Sequence, residues 1–339
     1  MLKRLAWILS VLIVVLPMLV VLAQDTTPTP TPTIAPTPVE LPDTDILSVT
    51  GDILTGGSST VYLLTERMAE RFAEEGFSGS ITVDRIGTSA GFELFCQSGE
   101  TDVSNASRAI RESEIEDCRQ IGREPIEFRV GTDAIAVTVN DANDFVESLT
   151  LEQLADIFTG AVTTWAEVDP AWPDEPIVLY SPGVDSGTFD YFIEEVVMAA
   201  GDFEDEQTAI DAVLSAPNIQ LSEDDDVLVL GVESSPYAIG YFGFAYFLGE
   251  GELLQAISLD AGDGPVTPNQ ETAESGAYPL ARPLFIYSDA DILNEKPQVA
   301  AFVTFYLSFV EREILDVGYF PASAAALNDA KRRLLEVLP

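Results

Sequence analysis

The sequence predicts an open α/β fold in two lobes, and three observations lead to it. Apolar stretches of strand length alternate with amphipathic stretches of helix length. The chain has 339 residues, 47% of them hydrophobic, which is enough for two sizeable cores. A strand, a Ser/Thr/Gly turn and a helix occur in that order three times, with turns at 58–61, 87–91 and 185–189. In α/β sheets such turns gather beyond the carboxyl ends of the strands, where ligands bind.

Lys3 and Arg4 precede an almost unbroken apolar run, 5–23, which reads as an export signal or an N-terminal membrane anchor. The run exceeds the ~7–15 residues of a usual signal core and approaches the ~20 that span a bilayer. The basic pair stays in the cytoplasm under the positive-inside rule, so everything later is expected to be extracytoplasmic, secreted or held by 5–23. No cysteine follows the run, which excludes a bacterial lipoprotein anchor. Residues 26–38 alternate threonine and proline, an extended spacer that at ~3.1 Å per residue reaches about 40 Å. The segment 24–45 is therefore read as a disordered Thr/Pro-rich linker, with the fold beginning near Ile46.

A short strand at Asp52 leads into Thr55-Gly56-Gly57-Ser58-Ser59-Thr60. Val61, Leu64, Met68 and Phe72 then recur at helical spacing, and Gly76 ends that helix. The strand 80–86 enters Gly87-Thr88-Ser89-Ala90-Gly91, followed by a helix at 92–97. Stretches 126–130 and 134–139 read as two strands, the second nearly all apolar and so central. A helix is expected at 151–158. The strand 177–180 enters Asp185-Ser186-Gly187-Thr188, with a helix from 189 to about 199. Residues 201–226 read as an acidic helical region and 227–232 as a strand or the start of a buried helix. The run Asp224-Asp225-Asp226 lacks the alternation and glycine of a calcium loop and reads as a solvated turn. An extended segment at 278–287 precedes closing helices at 297–310 and 322–338.

Composition removes several functions. Acidic residues number 57 against 16 basic, a formal charge of −41, which disfavours nucleic acid and anionic membranes as partners. An anion can still be held by local donors, because screening limits the global field beyond roughly 8–10 Å. The chain has no histidine, so it lacks the usual general base and the commonest metal ligand, and no metal or cofactor is expected. Cys96 and Cys118 are too few for a structural zinc site. In an exported protein they can close one disulfide, contributing ~3 kcal/mol, the alternative being two buried thiols.

Each Ser/Thr/Gly turn alone reads as an ordinary helix N-cap. Three in one chain read as an anion site, since the free N–H groups of a helix start carry partial positive charge and glycine permits close approach. Arg108 adds a planar fork of donors suited to an oxyanion, unless it serves a surface ion pair. Gly87–Gly91 also fits the G-x-S-x-G pattern of a serine nucleophile, but no histidine is present to activate Ser89.

Five motifs stand in order: Gly57-Ser58-Ser59-Thr60-Val61-Tyr62, Gly87-Thr88-Ser89-Ala90-Gly91-Phe92, Asp102-Val103-Ser104-Asn105-Ala106-Ser107-Arg108, Asp185-Ser186-Gly187-Thr188-Phe189 and Tyr278-Pro279-Leu280-Ala281-Arg282-Pro283-Leu284. Over roughly 46–337 the chain resembles the phosphate-binding protein of the high-affinity phosphate ABC transporter. The resemblance implies a type II periplasmic-binding-protein fold, two α/β lobes joined by crossovers near 129–133 and 278–284. The first lobe would comprise 46–131 and 281–339, the second 132–280, after the leader 1–23. It implies a monomer that captures inorganic phosphate, delivers it to an ABC permease, and breaks no bond. It also carries Ser59, Thr60, Thr88, Ser89, Ser186, Gly187 and Thr188 to the phosphate. Arg108 stands where the best-known members have aspartate, Pro182 where they have arginine, and Asp185 where they have glycine. The charged pair thus looks exchanged between loops, with Asp185 expected to accept the phosphate proton and Arg108 to be its charge partner. Competing readings are a binder of sulfate, molybdate or a phosphonate, a serine hydrolase using Ser89, and a structural or sensing module anchored by 5–23.

Overall fold

The computed structural model describes residues 37–200, 203–250 and 253–338. The apolar run 5–23 and the Thr/Pro repeat up to residue 36 lie outside the described residues. One long strand, Pro125–Asn140, runs through two sheets and joins them. Its first half is antiparallel to Ala281–Asp289, with Phe128 opposite Ile286 and Asp133 opposite Arg282. Beyond Ala281–Asp289 the sheet continues through Val103–Ala106, Asp52–Gly57 and Ser80–Arg85, the last three mutually parallel. Its second half is antiparallel to Ala238–Gly243, with Ala136 opposite Phe242, and that sheet continues in parallel through Val178–Pro182 and Ile219–Ser222.

Two apolar cores follow this division. One gathers residues from Ile53 to Val130 and again from Leu284 to Leu334. The other gathers residues from Ile135 to Leu280. In the first, the helix Ser59–Glu74 buries Val61, Leu64, Met68 and Phe72, and Phe72 meets Phe302 and Phe305 edge-on at 5.5 and 5.2 Å. In the second, Trp165 is fully buried, and its indole N–H donates to the Tyr237 carbonyl at 3.1 Å. Cys96 and Cys118, both buried, form a disulfide tying the turn Leu94–Ser98 to the helix Glu112–Gln120.

Several elements differ from the sequence reading. The two strands expected at 126–130 and 134–139 are one, because Gly131 continues the ladder instead of turning; a Cβ there would meet Ile314 and the Phe320 carbonyl. The acidic region at 201–226 contains the helix Glu206–Leu214 and the edge strand Ile219–Ser222. Of the two readings left open for 227–232, the structure has the helix, Asp225–Glu233, which Asp224 caps by accepting from the Asp226 N–H. The acidic triplet is thus a helix start. Packing begins before Ile46: the Val39 N–H donates to Asn328 Oδ1 at 2.7 Å, the Asn328 amide donates to the Thr37 carbonyl, and Leu41 lies on the first core.

Candidate anion site between the lobes

The first turn starts from a backbone constraint. Gly57 sits at φ 141°, with the Asn105 carbonyl oxygen 2.1 Å from where a Cβ would fall, so only glycine fits. Ser58 then caps the helix Ser59–Glu74, its hydroxyl accepting from the Val61 N–H at 3.4 Å. Ser59 and Thr60 are therefore the first two residues of the helix, the positions whose N–H groups lack intrahelical partners.

The second turn leans on the first. The N–H groups of Ile86 and Gly87 both donate to the Gly57 carbonyl, at 3.1 and 2.8 Å. Gly87, at φ 85°, precedes the helix Thr88–Glu93, which runs on into a π turn at Leu94–Ser98. Thr88 and Ser89 thus lie in the first turn of a helix that starts four residues earlier than the periodicity of Phe92 indicates. The Thr88 hydroxyl accepts from the Ser107 N–H at 3.3 Å, and Ser89 Oγ accepts from Arg108 Nη2 at 3.1 Å. A guanidinium cannot take the serine proton, so this contact does not make Ser89 a nucleophile.

Arg108 itself is held by Glu114 through two parallel hydrogen bonds, 2.9 Å from Nη1 and 2.7 Å from Nη2. Burial opposes the Glu114 charge, but hydrogen bonds from Arg108 and the Arg111 backbone outweigh it and hold the carboxyl below its usual value.

The third turn approaches from the other lobe. Ser186 caps the helix Gly187–Phe192 by accepting from the Thr188 N–H at 3.2 Å, and the helix continues through a π turn at Ile193–Met198. A Cβ on Gly187 would lie 3.8 Å from the Ser59 carbonyl oxygen and 3.6 Å from the Tyr319 hydroxyl, so the third turn meets the first. Arg85 also spans the junction: it pairs with the Asp190 carboxylate and donates to the Asp185 carbonyl at 3.4 Å. The structure thus brings all three hydroxyl turns and Arg108 into one neighbourhood. Asp185 is exposed at its rim, with its N–H donating to Glu223 Oε1 at 3.4 Å. Among the described residues, no hydrogen bond or ion pair joins Asp185 to Arg108.

A second guanidinium, which the sequence reading passed over, lies at the centre. Arg282, on the strand Ala281–Asp289, donates from Nε to Asp133 Oδ2 at 3.1 Å and from Nη2 to the Thr60 hydroxyl. It stacks on the Tyr191 ring, 3.5 Å from the centroid, and lies 3.9 Å from Glu194. It therefore touches the first turn, the long crossing strand and the third-turn helix at once. Asp133 is 1% exposed, and its other oxygen, Oδ1, has no hydrogen-bond partner among the described residues. Burial pushes the Asp133 carboxyl above its usual value, with Arg282 pulling the other way. Both residues carry a sequence signal: a charge inside a strand that is otherwise apolar needs a partner.

Comparison with known proteins agrees with this architecture. Residues 28–309 match the model of the PBP superfamily domain. Protein SphX of Synechocystis sp. is 43% identical over 284 residues, covering 82% of this chain and 81% of the relative. Phosphate-binding protein PstS of Staphylococcus saprophyticus is 33% identical over 289 residues, covering 85% of this chain and 86% of the relative. The crystal structure of a possible phosphate binding protein from Planctomyces limnophilus superposes with a TM-score of 0.77 at 36% identity, covering 86% of this chain and all of that one. With two lobes joined by crossing strands and this likeness along most of its length, the chain has the type II periplasmic-binding-protein fold and belongs to the PBP superfamily, in the PstS- and SphX-like family of phosphate-binding proteins.

Proposed function

We propose that this protein captures inorganic phosphate outside the cytoplasm and delivers it to an ABC transporter permease. The observation that carries the reading is the meeting of three hydroxyl-bearing helix starts, two from one lobe and one from the other, beside the half-buried guanidinium groups of Arg108 and Arg282. Backbone N–H groups at Ser59, Thr60, Thr88, Ser89 and Gly187 supply donors, with the hydroxyls of the three turns, those of Ser186 and Thr188 included, and Arg108 completing the set and Asp185 at the rim. Local donors of this kind hold a small anion against the net charge of −41. A ligand contacted from both lobes favours their closed arrangement, because it binds that arrangement more tightly than a separated one. The work is binding, with no bond made or broken. The folded part acts as a monomer, and residues 5–23 export it or hold it at the membrane.

Calorimetric titration with inorganic phosphate, with sulfate as competitor, tests the reading. A phosphate concentration of about 100 times Kd stabilises the fold by about 2.7 kcal/mol, visible as a rise in melting temperature. No heat and no thermal shift with phosphate would remove the reading.

A further inference from the structure

We propose that Cys96 and Cys118 are positioning residues for phosphate: their disulfide holds Arg108 at the anion site by fixing Glu114, the carboxylate that grips it. This deepens the phosphate reading and rests on it. The helix Glu112–Gln120 has one buried residue, Cys118. A nine-residue helix has little stability of its own in water, and its place in a fold comes from the side chains it buries. Here that side chain is a sulfur bonded to Cys96, itself buried in the turn Leu94–Ser98. The disulfide is the covalent anchor of this helix. The other ties to the turn and the loop after it are hydrogen bonds. The Gln97 amide donates to Asp117 at 3.0 Å, and Arg123, just past the helix, donates to the Phe95, Gly99 and Thr101 carbonyls.

Glu114 and Cys118 stand four positions apart in the helix, so they share one face of it, a turn from each other. Fixing the sulfur therefore fixes the carboxylate. Glu114 takes Nη1 and Nη2 of Arg108 at 2.9 and 2.7 Å, and Nη2 also donates to Ser89 Oγ at 3.1 Å. The Arg108 Nε–H has no partner among the described residues, so this grip leaves it for an anion. Ser89 lies in the first turn of the helix that runs on, through the π turn, to Cys96. The contacts close a ring: Ser89, Arg108, Glu114, Cys118, Cys96, and back along the helix to Ser89. A guanidinium held in place before the guest arrives loses less rotamer freedom on binding, which raises affinity. The third-turn helix needs no such bond, because it buries Phe189, Tyr191 and Phe192 itself.

Calorimetry on the intact chain with inorganic phosphate, paired with urea unfolding, provides the test. Replacing both cysteines, Cys96→Ala with Cys118→Ala, is expected to weaken phosphate binding about tenfold. A cross-link with a merely structural role would lower stability and leave the affinity of the folded chain unchanged. Glu114→Gln is expected to weaken phosphate binding by a similar factor. In that background, removing the disulfide is expected to change affinity by less than about twofold, because members of one chain of contacts do not act additively. Wild-type affinity in the folded cysteine variant overturns the proposal, as do losses that multiply across the two sets of substitutions. Wild type reduced with a phosphine, its two thiols counted by mass after alkylation, repeats the comparison with no side chain removed. Glu114→Gln that binds phosphate like the wild type overturns the proposal with the disulfide intact, which covers the case of a cysteine variant that does not fold. Absence of any phosphate binding by the oxidised wild type is a separate result that removes the phosphate reading itself.

Discussion

Two arginine–carboxylate pairs flank the junction of the lobes, and the same chemistry has opposite consequences in them. Arg108 and Glu114 belong to one lobe, six residues apart, with side chains 27% and 15% exposed. There burial is outweighed by the Arg108 guanidinium and the Arg111 N–H acting together, and the Glu114 carboxyl falls below its usual value. Arg282 and Asp133 stand on two crossover strands, 149 residues apart, with Asp133 almost fully buried. There burial overcomes the guanidinium and the Asp133 carboxyl rises. The difference teaches that an ion pair at a binding site is defined less by its partners than by its access to water. The partly wet pair anchors a loop. The dry pair ties the crossover strands to the first turn and to the third-turn helix, because its guanidinium also contacts Thr60 and Tyr191.

The sharpest way to break this comparison is to remove one guanidinium from the dry pair. Arg282→Gln leaves the Asp133 carboxylate buried without its cation and is expected to cost about 3–5 kcal/mol of stability, read from urea unfolding. Neutralising both residues, with Asp133→Asn and Arg282→Gln together, is expected to recover most of that loss, because no lone charge then remains buried. A loss below about 1 kcal/mol in Arg282→Gln would mean that the pair is wet after all.

The history of this pair in the sequence shows what local pattern can and cannot reveal. The three turns were legible because Gly, Ser and Thr cluster where a strand hands over to a helix, a signal contained within about ten residues. Their helices start earlier than apolar periodicity indicates, at Thr88 and Gly187, because the hydroxyl and glycine residues are themselves the first turn. The Asp133–Arg282 contact is long-range, and the segment Gly131-Thr132-Asp133 imitates a turn between two strands. Only the pairing of Pro125–Asn140 with Ala281–Asp289 shows that the strand continues and that its buried charge has a partner. The edge strand Ile219–Ser222 was hidden for a different reason: an edge faces water, so its residues need not be apolar. Residues 37–45 were read as linker because two or three anchoring contacts, such as Val39 to Asn328, leave no periodic trace.

The wet pair should respond less, and with the opposite dependence on pH. Glu114→Gln is expected to cost on the order of 1 kcal/mol at neutral pH, since both side chains keep some contact with water. The folded-state value for Glu114 lies below its unfolded one, so its contribution is fully present above the ordinary carboxylate range and is lost as pH falls through the folded value. The stability gap between wild type and Glu114→Gln should therefore close on acidification. For Asp133 the sign reverses: its folded value is raised, so ionisation weakens the fold as pH rises from the ordinary range through the raised value. A Glu114 gap that widened in acid would contradict the assignment of the two pairs.

The smallest effect is expected from the third guanidinium, which bridges the lobes at their surface. Arg85 and Asp190 are 33% and 31% exposed, so water and salt screen them, and pairs of this kind contribute about 0.2–1 kcal/mol. Because one partner lies on each lobe, that energy favours the closed arrangement and should appear as slower release of phosphate. Arg85→Gln is expected to speed release by at most about fivefold in stopped-flow measurements at low salt. The difference should vanish near 1 M salt, where screening acts within about 3 Å. An acceleration beyond about tenfold, or one that survives 1 M salt, would mean that the Arg85–Asp190 pair is shielded from water in the closed arrangement.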